Sequence, residues 1–334
     1  MSIHYKLALD IMSGERDPLT SIDAAIEALK NDDALQLSLV GDESIVMEHF
    51  PKELMPRVDI VHTTEVVSMD DAPIDALRKK KNSSMRLAVN LVSEGMADAC
   101  VSSGNTGALM ANAKYVLKTL PSIDRPAFMK AIPTKGDYTY MLDLGANSTC
   151  TAEQLYQFAL MGDVVAREIK GISEPKIALL NIGEEEIKGH EMIKEASTLL
   201  EQSSINYVGY VEGNDIVENK ADVIVTDGFT GNIAIKAMEG TIELMTSVLK
   251  ESISEESADD SASDGSKFAL DIFKKSIDPR KHNGALLVGL NGIVVKSHGS
   301  SDSYGHYHAI LTAVNEVKKE IIPKLIETLE EKTA

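Results

Sequence analysis

Short runs of apolar and β-branched residues alternate along this chain with longer stretches of helical periodicity, almost from end to end. The runs at Tyr5–Asp10, Gln36–Val40, Val58–Val61, Ala97–Val101, Tyr138–Leu142, Lys176–Leu180, Ile205–Val208, Val223–Thr226 and Ile293–Val295 predict strands. Between them, apolar positions spaced three and four apart predict helices over Leu19–Lys30, 73–95, Thr106–Lys118, Ala152–Lys170, Gly189–Gln202, Asn232–Lys250 and 303–330. Strands that alternate with helices imply βαβ units and a sheet covered on both faces. The expected fold is α/β, a doubly wound and mostly parallel sheet in a single domain over 1–334. One stretch breaks the rhythm: residues 251–266 are acidic and Ser-rich with little to bury, and read as a solvated linker or mobile loop. A short amphipathic helix is expected over 267–281, with Phe268 and Phe273 on its apolar side and Lys274, Lys275, Arg280 and Lys281 near its end. It either docks on the body of the protein or meets a partner or lipid interface. A helical excursion from the sheet is therefore expected near 240–282.

Charge narrows the classes of partner. The 334 residues carry 33 Lys+Arg against 52 Asp+Glu, a net charge of −19, and 43% are hydrophobic. Such a chain can build a large core, and its charge disfavours nucleic acid and general attraction to anionic lipid. Cys100 and Cys150 cannot form a disulfide framework. No apolar run is long enough to span a bilayer and the opening residues do not read as a signal peptide, so a cytoplasmic protein is expected.

Open parallel sheets bind ligands where loops and helix N-termini meet at the carboxyl ends of strands. Here those ends share a composition: Ser102–Gly107, Asp143–Ser148, Asn181–Gly189, Asp227–Asn232 and Lys296–Ser301 are all rich in Gly, Asn, Ser or Asp with single cations. Glycine admits close backbone approach and a helix N-terminus supplies positive potential, which suits a small oxyanion such as phosphate. Each loop alone is ordinary turn chemistry; their number at equivalent places is the signal. Lys188 stands beside Glu184, Glu185 and Glu186 and is either a solvent ion pair or a site cation. Lys296 and His298 directly follow an apolar strand, and a histidine there can carry a proton at neutral pH or be simply packed. No Walker loop, dinucleotide-binding glycine motif or nucleophile elbow is present, and the histidines lack metal-binding spacing. No cofactor or metal is expected. Neither cysteine has a neighbouring base in the sequence that would argue for thiol catalysis.

The strings Lys80–Met85, Ala99–Met110, Asp124–Ala127, Leu142–Asn147, Gln157–Gly162, Leu179–Glu185 with Lys188-Gly189, Thr226–Asn232 and Val295–Asp302 resemble the PlsX-type phosphate acyltransferases of bacterial phospholipid synthesis, from about residue 5 to 320. The resemblance implies a fold of the isocitrate/isopropylmalate dehydrogenase and phosphotransacetylase group, and a homodimer with its site near the subunit interface. It implies transfer of a fatty acyl group from acyl carrier protein to inorganic phosphate, the acyl phosphate then feeding the acylation of glycerol 3-phosphate. On that reaction Ser103, Asn105, Thr106 and the backbone of Gly104–Gly107 would cradle phosphate, with Gly231 and Ser300 in the same binding loops. Lys188 and Lys296 would neutralise phosphate or the oxyanion, Asn147 and Asn232 would donate hydrogen bonds, and His298 would protonate the departing thiolate. Asp143 and Asp227 would orient these groups.

Acyl carrier protein is acidic, so a chain of this charge must dock it through a local basic patch. Arg78, Lys79, Lys80, Lys81 and Arg86 are the first candidates, and Lys274, Lys275, Arg280 and Lys281 the second. The first loop, Asp10-Ile11-Met12-Ser13-Gly14-Glu15, departs from the family's Asp-x-Met-Gly-Gly-Asp at Ser13 and Glu15. The segment often associated with membrane contact corresponds to 251–277, so any association with the membrane or its acyltransferases is expected to be weak and peripheral. A phosphotransacetylase-like enzyme acting on acyl-CoA, a dehydrogenase of the same fold group, and a non-enzymatic scaffold for acyl carrier protein are the alternatives.

Overall fold

In the computed structural model, which describes residues 4–256 and 278–333, the N-terminal part builds strands β1 (Tyr5–Asp10), β2 (Leu35–Gly41), β3 (Val58–His62) and β4 (Ala99–Ser102). Between and after them run α1 (Pro18–Asn31), α2 (Glu43–His49), α3 (Pro73–Lys79), α4 (Ser84–Ser93) and α5 (Thr106–Leu117). The middle supplies β5 (Ala127–Pro133), β6 (Tyr138–Leu142), β7 (Ile177–Leu180), β8 (Tyr207–Val211) and β9 (Val223–Val225), with α6 (Ala152–Lys170), α7 (Glu191–Glu201) and α8 (Gly228–Glu256). The last part adds β10 (Ala285–Val288), β11 (Ile293–Lys296), α9 (Ser303–Lys318) and α10 (Ile321–Thr333).

All the strands among the described residues join one 11-stranded sheet in the order β3-β2-β1-β4-β11-β10-β5-β6-β9-β7-β8. Alternation along each strand splits the core between its faces. Leu7, Leu9, Leu37 and Leu39 share one core cluster with residues of α1, α6 and α9, whereas Ala8, Val40, Cys100 and Phe128 share a second with residues of α4 and α5. Helices therefore cover both faces, as the doubly wound reading expects.

The sheet is not parallel throughout. β10 pairs antiparallel with β11 and β5, and β5 pairs antiparallel with β6. The block β3-β2-β1-β4-β11 thus runs opposite to the block β6-β9-β7-β8, and β10 and β5 form a seam between them. The carboxyl ends of the two blocks leave opposite edges of the sheet. The five glycine-rich loops therefore do not all leave one edge of the sheet, although residues of those after β4, β6, β9 and β11 still reach a common space at the seam, and only the loop after β7 does not.

Other expectations shift locally. The stretch 73–95 is two helices, because Ser83 caps α4 by accepting from Arg86 N. The expected helix over 303–330 is likewise two, divided at Lys319-Glu320, where Glu320 takes φ +52. The expected acidic linker begins inside α8, which continues through Glu256; the rest of that segment and Phe268, Phe273, Lys274 and Lys275 lie outside the described residues. Pro279–His282 form a 3₁₀ turn rather than the end of an α-helix. Among the described residues no helix is long and apolar enough to cross a membrane.

Candidate active site

A cavity of about 410 Å³ lies on the seam, and its walls come from both blocks. Lys296 and His298 close one side where β11 ends, and Thr106 and Gly107 stand at the start of α5. Phe128 and Lys130, two apart on β5, point into it together. Gly145, just past β6, and Asn232, Lys236 and Glu239 of α8 complete it, with Glu15 from the loop after β1. Asn232, Lys236 and Glu239 share a helix face because they are four and three apart.

Cations dominate this space. Lys296 Nζ donates to Ser103 O at 3.2 Å and to Ser297 O. Burial pulls its pKa from 10.5 down to about 8, aided by Lys236 and opposed by Glu15 and Asp10. Glu239 bridges Lys130 and Lys236, each at 3.4 Å. Burial pushes the Glu239 carboxyl up, but Lys130, Lys236 and His298 outweigh it and hold the pKa below its ordinary value.

His298 is contacted at both ring nitrogens. Its Nδ1 accepts the backbone N–H of Ser300 at 3.3 Å and lies 2.9 Å from Ser300 Oγ. Nε2 stands 3.4 Å from Lys236 Nζ. Partial loss of solvent and the nearby Lys236, Lys296 and Lys130 lower the His298 pKa against Glu239. The ring is therefore biased toward its neutral form at pH 7. Asn283 fixes this loop: its Nδ2 donates to Ser297 Oγ, Ser301 Oγ and Gly305 O, and its Oδ1 accepts from His298 N.

At the start of α5 the Asn105 side chain is the N-cap, accepting from Ala108 N at 2.9 Å, while its Nδ2 donates to Met69 O and Asp71 O. Among the described residues no protein acceptor serves the N–H groups of Thr106 and Gly107, both of which line the cavity. Positive helix-end potential therefore opens into it.

Of the residues expected to form a site, Lys296, His298, Asn232, Thr106 and Gly107 come together here. Others build its frame. Asp143 is buried and accepts from the backbone N–H groups of Phe128, Gly145, Ala146 and Asn147 and from Asn147 Nδ2; burial raises its pKa against these bonds. Asn147 also donates to Pro126 O, so its amide is committed to the fold. Gly231 packs where any side chain would run into Asp143 O, and Asp227 turns its carboxylate on Thr230 at the start of α8. The Ser103 hydroxyl donates to Ser13 O, Gly104 packs against Met85 and Ser13, and Ser300 serves His298. Lys188 is absent from the cavity wall; it lies on the loop after β7, which β6 and β9 separate from the seam, and pairs with Glu185 at 2.7 Å.

The basic patch is partly structural. Lys80 binds Asp71 at 2.5 Å and Val66 O at 2.8 Å, and Arg86 bonds Asn90 and Asn112 and stacks on Tyr115. Arg78, Lys79 and Lys81 are exposed, with Lys79 paired to Asp75. In the second patch Arg280 is held by Asp278 and Asp302. Burial raises the Cys150 thiol to about 12 and the Cys100 thiol further still, so neither is a thiolate at neutral pH. Among the described residues no cluster of His, Cys, Asp and Glu has metal-binding geometry.

The fold is that of the phosphotransacetylases. The solved phosphotransacetylase of Streptococcus pyogenes superposes with a TM-score of 0.62 at 17% identity over 94% of each chain. A branched-chain phosphotransacylase of Enterococcus faecalis gives 0.60 at 17% identity, over 93% of this chain and 99% of that one. Sequence narrows the assignment. The family model described as "Fatty acid synthesis protein" matches residues 5–324. The phosphate acyltransferase of Methylococcus capsulatus is 48% identical over 326 residues, 97% of this chain and 96% of its own. That of Nitrosococcus oceani is 49% identical over 318 residues, 94% of each. The chain belongs to this family, the PlsX phosphate acyltransferases, and is an acyltransferase.

Proposed function

We propose that the protein transfers a long-chain fatty acyl group from the thioester of acyl carrier protein to inorganic phosphate, supplying acyl phosphate for the acylation of glycerol 3-phosphate in phospholipid synthesis. The observation that carries this reading is the convergence of Lys296, Lys236 and His298 on the open N-terminus of α5 in one cavity. Phosphate is itself a competent nucleophile, so the protein has to bind it, align it and stabilise the oxyanion. The Lys296 ammonium and the N–H groups of Thr106 and Gly107 hold the phosphate, with Asn232 donating from α8. A phosphate oxygen attacks the thioester carbonyl carbon and forms a C–O bond. The tetrahedral oxyanion, held by the Nε2–H of His298, collapses with cleavage of C–S. The thiolate takes up the proton given up by hydrogen phosphate, so the step balances as acyl thioester plus phosphate to acyl phosphate plus thiol. Asn147 and Asp227, whose side chains are committed to the fold, take no direct part.

We further propose the isocitrate/isopropylmalate dehydrogenases as the parent fold group. The exposed Phe229, Ile233, Leu244 and Val248 of α8 suit coverage by a second copy, as a homodimer. Arg78, Lys79 and Lys81 are the proposed docking surface for acyl carrier protein. We place the reaction in the cytoplasm, at the inner face of the membrane where its product is used.

The test is phosphate-dependent release of carrier thiol from palmitoyl-acyl carrier protein, with acetyl-CoA run in parallel. Release with the long-chain donor is the expected result. Turnover with acetyl-CoA alone would make the protein a phosphotransacetylase, and binding of the carrier without turnover would make it a scaffold.

A further inference from the structure

The ion pair of Lys130 and Glu239 stands at a junction. Both residues line the cationic cavity of about 410 Å³, an apolar groove of about 1110 Å³ and a polar cleft of about 340 Å³. The groove runs between the β5–β6 hairpin and one stripe of α8, and its wall includes Ile132, Ile235, Met238, Ile242 and Met245. The α8 members are three and four apart and so form a single face. Methionine suits a wall that must fit a flexible chain. The cleft presents Arg16, Asp278, Arg280 and Asp302 instead.

A thioester undergoing attack also has three arms: the acyl chain, the thiol-bearing arm and the path of the nucleophile. We propose that the reacting carbonyl sits at Lys130, with the acyl chain in the apolar groove, the pantetheine arm in the polar cleft and phosphate in the cationic cavity. The inference rests on the acyl-transfer reading above and deepens it. It makes Lys130 a catalytic residue and the α8 stripe the determinant of chain length. The Lys130 side chain is 14% exposed, so its ammonium acts on the carbonyl with little screening by water. Glu239 is a positioning residue that keeps Lys130 at the junction.

Two variants of the full-length protein test this with palmitoyl and butyryl thioesters of the same carrier. Ile242→Trp fills the groove and should lower the palmitoyl-over-butyryl ratio of kcat/KM by about 100-fold, the scale on which an apolar pocket rejects a chain that no longer fits. Lys130→Met should lower kcat about 100-fold for both donors with little change in KM for phosphate. Thermal melting and sedimentation confirm that each variant is folded and keeps its association state. An unchanged ratio in Ile242→Trp overturns the groove assignment. So does an equal loss for both donors with altered association, which would make the groove a subunit interface. An unchanged kcat in Lys130→Met removes Lys130 from the reaction. Absence of phosphate-dependent thiol release by the unsubstituted protein with either donor is a separate result, and it defeats the parent reading itself.

Discussion

Replacing Lys296 by methionine is expected to make the protein more stable and nearly inactive. Lys296 sits where its ammonium is poorly solvated, and its pKa falls from 10.5 to about 8. At about 1.4 kcal/mol per tenfold change in proton affinity, the charged form carries about 3 kcal/mol of unfavourable free energy at neutral pH. Methionine fills a similar volume without the charge but strands the carbonyls of Ser103 and Ser297, which now accept from Nζ. At about 1 kcal/mol for each lost bond, the net gain at pH 7 is about 1 kcal/mol. The sign of its pH dependence is fixed. Between about 8 and 10.5 the unfolded chain holds a proton that the native state has released, so native stability rises with pH across that window. The penalty is complete below about 8 and gone above 10.5, so the advantage of the variant must shrink and reverse as pH rises between them. Urea unfolding of both proteins at pH 7 and pH 10 measures this, because every other titrating group is common to the pair. Turnover at pH 7 should fall by about 100-fold. A variant less stable at pH 7, or a difference independent of pH, would refute the argument that Lys296 is a desolvated charge kept for function.

The same lysine sets a pH limit on the reaction: kcat/KM for phosphate should fall as pH rises through about 8, where free Lys296 loses its charge, and Lys296→Arg should remove that limb. Asp143→Ala should destabilise the fold by about 3–5 kcal/mol in thermal or urea unfolding, because the buried amides of Phe128, Gly145, Ala146 and Asn147 lose their shared acceptor; a stable but inactive variant would instead mark Asp143 as catalytic. Reversing Arg78, Lys79 and Lys81 to Glu should raise KM for the carrier-bound donor several-fold at low salt while sparing KM for phosphate; an unchanged KM relocates the docking surface. Lys80 is left out of that variant because it anchors Val66 and Asp71.

The alternation of strands and helices was legible in the chain because parallel strands buried on both faces read as apolar runs. The seam was not. β10 is only Ala285–Val288 and β5 contains Lys130 and ends at Pro133, so neither presents a clean strand pattern. Missing both hid the reversal of the second block and the distance of the Lys188 loop from the seam, where β6 and β9 intervene. The site was half legible. Turn residues marked where the chain bends, and most of them proved to hold the bends themselves: Asn105 caps α5, and Asp143 gathers its loop. Lys236 and Glu239 lie within a helix, where a charged pair reads as solvated surface. Lys130 carried a signal, since a lysine inside Ala127–Pro133 interrupts an otherwise apolar strand and needs a polar destination.

Charge then acts on two separate length scales in this protein. The chain bears −19 overall, yet its cavity of about 410 Å³ gathers Lys130, Lys236 and Lys296 against Glu15 and Glu239. In physiological salt, exposed charges farther apart than about 8 Å are largely screened, whereas shielded groups at a few ångströms are not. A small anion that reaches the cavity is therefore governed by the lysines rather than by the acidic surface. Glu239 keeps Lys130 and Lys236 from repelling one another and, on the proposed reaction, competes with phosphate for Lys236. An acidic carrier protein, the proposed acyl donor, would sample the other scale. It would meet the surface first and could not use the shielded lysines until it had docked, and the exposed Arg78, Lys79 and Lys81 are the docking surface proposed for it. Salt should accordingly weaken capture of the carrier much more than capture of phosphate, because only the first interaction is made through water.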